Sequence, residues 1–144
     1  MNMESHYDLS RFTKAHKYNF NTALREIRSG RKRSHWMWFI FPQIQGLGFS
    51  STAQYYAIES LGEAAAFLHD PCLGGHLIEI SEALLTLPTD DAGEVFGYPD
   101  NLKLRSCMTL FAKVEDAPPV FREVLQKYYG GSEDERTNEI LNNI

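Results

Sequence analysis

Several things are scarce in this 144-residue chain, and each scarcity excludes a class of protein. Two cysteines, Cys72 and Cys107, are too few for the disulfide framework of a small secreted domain. The longest unbroken apolar run, Trp36 to Phe41, falls far short of the roughly 20 residues that cross a bilayer. The start, Met1 to Asp8, has no apolar stretch behind a positive end, so no secretory leader is expected. A soluble cytoplasmic protein with no membrane partner is the simplest expectation. Internal repeats and low-complexity tracts are absent. At this length a single globular domain over 1–144 is expected, able to bury a core without staples, with 1–7 as a flexible tail.

Recognisable chemistry is scarce too. There is no Gly-x-Ser-x-Gly elbow and no cysteine with a nucleophile signature; both cysteines sit in apolar helical settings that suit small core residues. The five histidines, His6, His16, His35, His69 and His76, include no His-x-x-x-His or His-Glu-x-x-His spacing. Neither a metal nor a cofactor is therefore expected. Gly46-Leu47-Gly48 lacks the third glycine and the preceding strand of a dinucleotide fingerprint. It still offers backbone amides just ahead of a helix, where a phosphate can sit.

The net charge of −5 disfavours nucleic acid as a partner, but the distribution is uneven. Residues 1–36 hold eight of the fourteen Lys and Arg against three acids, and residues 37–102 hold none. An anion would be steered toward the basic end; a solvated basic helix face explains the same pattern.

What is present is helical periodicity almost throughout. Asp8 is placed to cap a first helix carrying Leu9, Phe12, Ala15, Phe20, Ala23, Leu24 and Ile27, with Gly30 as its stop and Lys17–Asn19 a candidate break. Ser60-Leu61-Gly62-Glu63 reads as a capping box. Asp70-Pro71 ends one helix and starts another, whose stripe is Leu73, Leu77, Ile80, Leu84 and Leu85. Asp100 is an expected N-cap for a helix through Leu104, Met108 and Phe111. Pro118-Pro119 precedes a further helix that Gly130-Gly131 ends. Strand alternation is nowhere convincing. The fold class expected is all-α: one compact multihelical domain of about seven or eight helices, with at most a minor β element.

The segment Arg31-Lys32-Arg33-Ser34-His35-Trp36-Met37-Trp38-Phe39-Ile40-Phe41-Pro42-Gln43 joins a cationic run to an aromatic block that holds both tryptophans. Ser34 is placed to cap this block, whose periodicity cannot tell helix from strand because every position is apolar; helical neighbours favour helix. His35 has the intrinsic range of a general acid or base. Trp36 or Trp38 could stack on a planar base, though in a helix the two point to different faces. Asp100, Lys103 and Arg105 follow a turn and combine an acid with phosphate-gripping cations. The candidate catalytic residues are thus His35 and Asp100. The candidate ligand-binding residues are Arg33, Trp36, Trp38, Gln43, Gly46, Gly48, Lys103 and Arg105. Core packing, capping and surface ion pairs are the competing explanations for each.

Together, Asp8-Leu9 with Arg11-Phe12, Gly30 with Lys32, the string His35 to Gln43, Gly46-Leu47-Gly48, Phe96-Gly97 with Asp100, and Leu102-Lys103 through Phe111 resemble the bacterial domain of unknown function family 1810. Its members are often labelled "calpastatin". The resemblance runs from about Asp8 to Leu141 and implies no established activity. A calpastatin-type inhibitor would be a disordered repeat chain, which this composition is not. His16 departs from the family pattern, where glutamine is more usual after Ala15. A more distant similarity, in helical character, aromatics and a late acid–lysine helix, is to the ADP-ribose-linked N-glycosidase superfamily.

Two functions compete at this point. One is a binder or hydrolase of a phosphorylated, nucleotide-like ligand, of ADP-ribose type and cleaved at an N-glycosidic bond if hydrolysed. The other is a non-enzymatic interaction or regulatory module, a homodimer among the options.

Overall fold

A computed structural model describes residues 7–144. The described residues form nine helices and no strand; the one β feature is an isolated parallel bridge between Ile44 and Ile58. The all-α expectation holds, with slightly more helices than anticipated. Of the expected tail over 1–7, residues 1–6 lie outside the described residues. Tyr7 is tied down instead, its hydroxyl 3.1 Å from Ser60 Oγ.

Helix α1 (Ser10–Arg28) is continuous, with no break at Lys17–Asn19, because Phe12, Ala15, His16, Phe20, Ala23, Leu24 and Ile27 keep one buried face throughout. Leu9, not Asp8, holds the N-cap position, without a side-chain bond; Asp8 stands one residue before it and accepts from Ser10 N at 2.9 Å. Gly30, at φ +87, turns the chain away after the last turn, a conformation that favours glycine. A single helical turn, α2 (Met37–Ile40), decides the helix-or-strand question. Ser34 does not cap it; Trp36 holds the cap position without a side-chain bond.

Helices α3 (Ser51–Tyr56), α4 (Leu61–His69) and α5 (Pro71–Leu85) follow, each opened by a side chain. Ser50 accepts from Ala53 N, Ser60 from Glu63 N, and Asp70 from both Cys72 N and Leu73 N. The capping box closes one residue early, since Glu63 Oε1 receives Glu59 N at 2.7 Å. The α4–α5 corner is tight: a Cβ on Gly74 would lie 1.8 Å from the Leu68 carbonyl oxygen, so only glycine fits there.

Helix α5 is the hub. It packs on α1, α4 and α8, and its Leu73, Leu77, Ile80 and Leu84 are fully buried. Removing one such side chain costs about 2–5 kcal/mol in a core of this kind. Helices α6 (Ala92–Phe96), α7 (Asp100–Ala112), α8 (Val120–Tyr129) and α9 (Glu135–Asn142) complete the domain, with α7 packed on α4, α6, α8 and α9. Asp91 and Asp134 cap α6 and α9. Asp100 does not cap α7. Pro99 takes that position and Asp100 is the first helical residue. Its carboxylate is consequently free to face outward from the helix end.

Candidate functional site

Between α1 and α2 the chain folds back over one carboxylate. Glu26 Oε1 accepts Arg33 N at 2.7 Å, Ser34 N at 3.0 Å and Trp36 Nε1 at 2.9 Å, and Oε2 accepts Ser34 Oγ at 2.5 Å. Burial opposes its ionisation, but these four donors outweigh that penalty and hold the carboxyl at about 2. Trp36 is 1% exposed, wedged against Phe41 and Phe96. It has no free face for a ligand, which corrects the expectation that either tryptophan could stack on a base. Glu26 itself was not anticipated. Its signal in the sequence was faint: a lone acid within a basic helix.

A second cluster lies on the other side of the same segment. Lys32 Nζ stands 3.0 Å from Asp100 Oδ2, and Lys103 Nζ 3.3 Å from Asp100 Oδ1. Lys103 also lies 5.9 Å from the centre of the half-buried Trp38 ring. Lys32 Nζ is 5.1 Å from the Trp36 ring, touching the knot from outside. Two ammonium groups therefore converge on one carboxylate at the start of α7, beside an aromatic face.

Trp38 continues this edge into a recess that it lines with Gln43, Gly48, Ala53 and Tyr56. The recess encloses about 20 Å³, room for one water-sized group. Its floor is the parallel bridge, where Ile58 N donates to Gln43 O at 2.9 Å and Gln45 N to Ile58 O at 2.7 Å. Gly48 is required by closeness, since a Cβ there would meet Ala53 Cβ at 2.6 Å. Gly46, at φ +108, is exposed and turns the loop toward Ile140 of α9.

The structure thus brings together Asp100, Lys103, Trp38, Gln43 and Gly48, and adds Lys32. Lys32 was missed because nothing in Arg31-Lys32-Arg33 distinguishes the middle cation. Arg33 and His35 are exposed, and neither side chain has a hydrogen-bond or ion-pair partner among the described residues. Arg105 lies toward α8, its guanidinium carbon 5.8 Å from the Tyr129 ring and its buried Nε unpartnered. Tyr129 there donates its hydroxyl hydrogen to the Asn101 carbonyl.

A third polar cluster joins α1 to α5. His16 Nδ1 and His76 Nδ1 are 3.0 Å apart, and His16 Nε2 is 2.7 Å from the Phe39 carbonyl oxygen. Since only an N–H can face that carbonyl, His16 Nδ1 carries the lone pair when the ring is neutral. Burial brings the His16 imidazole down to about 4, and burial lowers His76 as well. Phe20 stacks on His76 at 3.6 Å between ring centres. Among the described residues, no group of three or more His, Cys, Asp or Glu could hold a metal ion.

The model of the family described as "Protein of unknown function (DUF1810)" matches residues 6–141. The chain belongs to the DUF1810 family. This DUF1810 protein is also similar to a solved structure, the conserved hypothetical protein Rv1873 from Mycobacterium tuberculosis. The two share 47% identity over 94% of this chain and 97% of that one, with a TM-score of 0.92. Among curated proteins none matches. No helix among the described residues is long and apolar enough to cross a membrane.

Proposed function

We propose that this DUF1810 protein binds a phosphorylated small molecule carrying a planar ring, at the edge formed by Lys32, Asp100, Lys103 and Trp38. The observation that carries the reading is the position of Lys103, which stands against both the Asp100 carboxylate and the Trp38 face. A phosphate competes with Asp100 for the two ammonium groups, while a base or sugar face lies on Trp38. The recess beyond admits only the edge of such a group, with the Gln43 side chain beside it to select by hydrogen bonding. An ADP-ribose-type ligand has both parts. In an N-glycosidic hydrolysis, the Asp100 carboxylate is the group suited to stabilise cationic character developing on the sugar.

Thermal denaturation in the presence of ADP-ribose, AMP, ribose 5-phosphate, adenosine or inorganic phosphate tests this. The expected result is a rise in Tm with ligands that carry both a ring and a phosphate, and no rise in Trp38→Ala or Lys103→Ala. Absence of any shift, or an equal shift in both variants, removes the site. A second reading, a protein-interaction module, draws on three exposed aromatics, Phe49, Tyr55 and Tyr98. Self-association in analytical ultracentrifugation, abolished by Phe49→Ser or Tyr98→Ser, is the result that favours it.

A further inference from the structure

We propose that His16 and His76 form a proton-operated latch between α1 and α5, closed by one imidazole-to-imidazole hydrogen bond and opened when His16 takes up a proton. The two Nδ1 atoms are 3.0 Å apart. The rings lie within 7° of parallel with their centres 5.2 Å apart, so they meet edge to edge. In such a bond one nitrogen donates and the other accepts.

The second contact of His16 fixes which is which. Its Nε2 stands 2.7 Å from the Phe39 carbonyl oxygen and must carry hydrogen. In the neutral ring Nδ1 is then the acceptor, and His76 Nδ1 donates to it. His76 Nε2 is left with the pair's one unengaged lone pair. A first proton lands there and leaves the bond intact, now with a charged donor. A second proton has only His16 Nδ1 to bind. It sets two N–H groups head-on and two positive rings side by side, so the bond is lost. His76 is half-buried and can swing away; His16, 2% exposed, cannot.

The surroundings set where the latch opens. Phe20 covers His76 at 3.6 Å between ring centres, and Phe67 of α4 meets His16 edge-on at 5.9 Å. Among the described residues, the charged groups bearing on the pair are Asp70, which caps α5, and Glu79, which lies 3.4 Å from Arg28 of α1. Asp70 favours a proton on both rings and Glu79 on His76. The Cys72 sulfur lies 4.0 Å from both His76 ring nitrogens. From α2 the pair meets the uncharged Phe39 carbonyl, and His69, at the end of α4, pairs with Asp116. Burial outweighs the two acids and brings His16 from the usual 6.5 down to about 4. The folded chain therefore resists a proton that the unfolded chain accepts. Stability is undiminished above about pH 6.5 and is lost as the pH falls toward about 4. This window lies mostly above the one in which Glu26 titrates. Because α5 is the hub of the fold, release at this seam loosens its central packing.

The test compares urea unfolding of full-length wild type, His16→Gln and His16→Ala at about pH 7 and about pH 5, with imidazole nitrogen NMR of the wild type. Glutamine offers an amide N–H to Phe39 and a carbonyl oxygen to His76, so it copies the neutral tautomer and takes up no proton. In wild type the unfolding equilibrium constant should rise at least about tenfold between the two conditions. His16→Gln should stay close to wild type at the higher pH and show a several-fold smaller rise. His16→Ala, which removes donor and acceptor together, should be less stable than His16→Gln at the higher pH. The NMR spectrum should show hydrogen on His16 Nε2 and on His76 Nδ1, with the His76 Nδ1–H signal lost in mild acid. This last measurement decides the matter if His16→Gln fails to fold. The opposite tautomers, a wild type equally stable at both conditions, or the same acid loss in His16→Gln overturns the proposal.

Discussion

Trp36 and Trp38 are two residues apart and have opposite fates. Trp36 is sealed in the core with its indole N–H on Glu26, and Trp38 lies half-exposed beside Lys103. Each has a carboxylate and a cation nearby. At Trp36 the carboxylate is ringed by four neutral donors and, among the described residues, no cation pairs with it; at Trp38 the acid is bracketed by two lysines, one largely buried and one partly exposed. The first arrangement fixes the chain path, because a buried anion that accepts four hydrogen bonds from the segment after α1 holds that segment's backbone in place. The second is the edge at which we propose that another anion takes the place of Asp100, with Lys103 partly exposed and Lys32 largely covered. Similar residue types therefore build fold on one side of a helical turn and a candidate binding edge on the other.

The sharpest way to break this contrast is Glu26→Ala. It leaves buried donors on Ser34 and Trp36 unanswered and should cost about 3 kcal/mol, lowering Tm by roughly 10 °C. Acid should act on the same group. Its folded value of about 2 lies below the 4.5 of an unperturbed glutamate. Its contribution is thus complete above about pH 4.5 and is lost as the pH falls toward 2, so wild-type stability should decline across that window more steeply than that of Glu26→Gln. Equal acid sensitivity in the two proteins would show that the knot does not control the fold.

Asp100→Asn should do the reverse. Stability should fall by about 1–3 kcal/mol, since Lys32 and Asp100 are largely covered, while inorganic phosphate binds more tightly to the two released lysines. Weaker phosphate binding in this variant would mean that Asp100 does not hold the lysines in place of a ligand. Trp38→Ala should remove a ring-bearing ligand's Tm shift and cost roughly 1–2 kcal/mol, less than a fully buried tryptophan. The smallest effect is expected for His35→Ala: stability within about 0.5 kcal/mol and an unchanged ligand shift. A lost shift there would extend the edge outward to His35.

Much of the helical framework was readable beforehand. Ser60, Asp70 and the Leu73–Leu84 stripe announced themselves, because capping and amphipathic burial act within one or two turns. Asp100 was read as a cap on the same logic. Pro99 holds that position, and Lys32, 68 residues earlier, draws the carboxylate away. Helical spacing separated the faces of Trp36 and Trp38 but could not say which was inside; that choice depended on Glu26. The His16–His76 approach spans 60 residues and had no local signature.

From its own pattern the sequence determined an all-α domain, the caps Ser60 and Asp70, the apolar stripe of its central helix and its membership of DUF1810, since each follows from short-range spacing or from a contiguous string. Only the tertiary structure decided which charged and aromatic side chains meet. Coulombic and hydrogen-bond partners are set by distance in space, and α1, α5 and α7 bring together residues that local periodicity leaves unrelated.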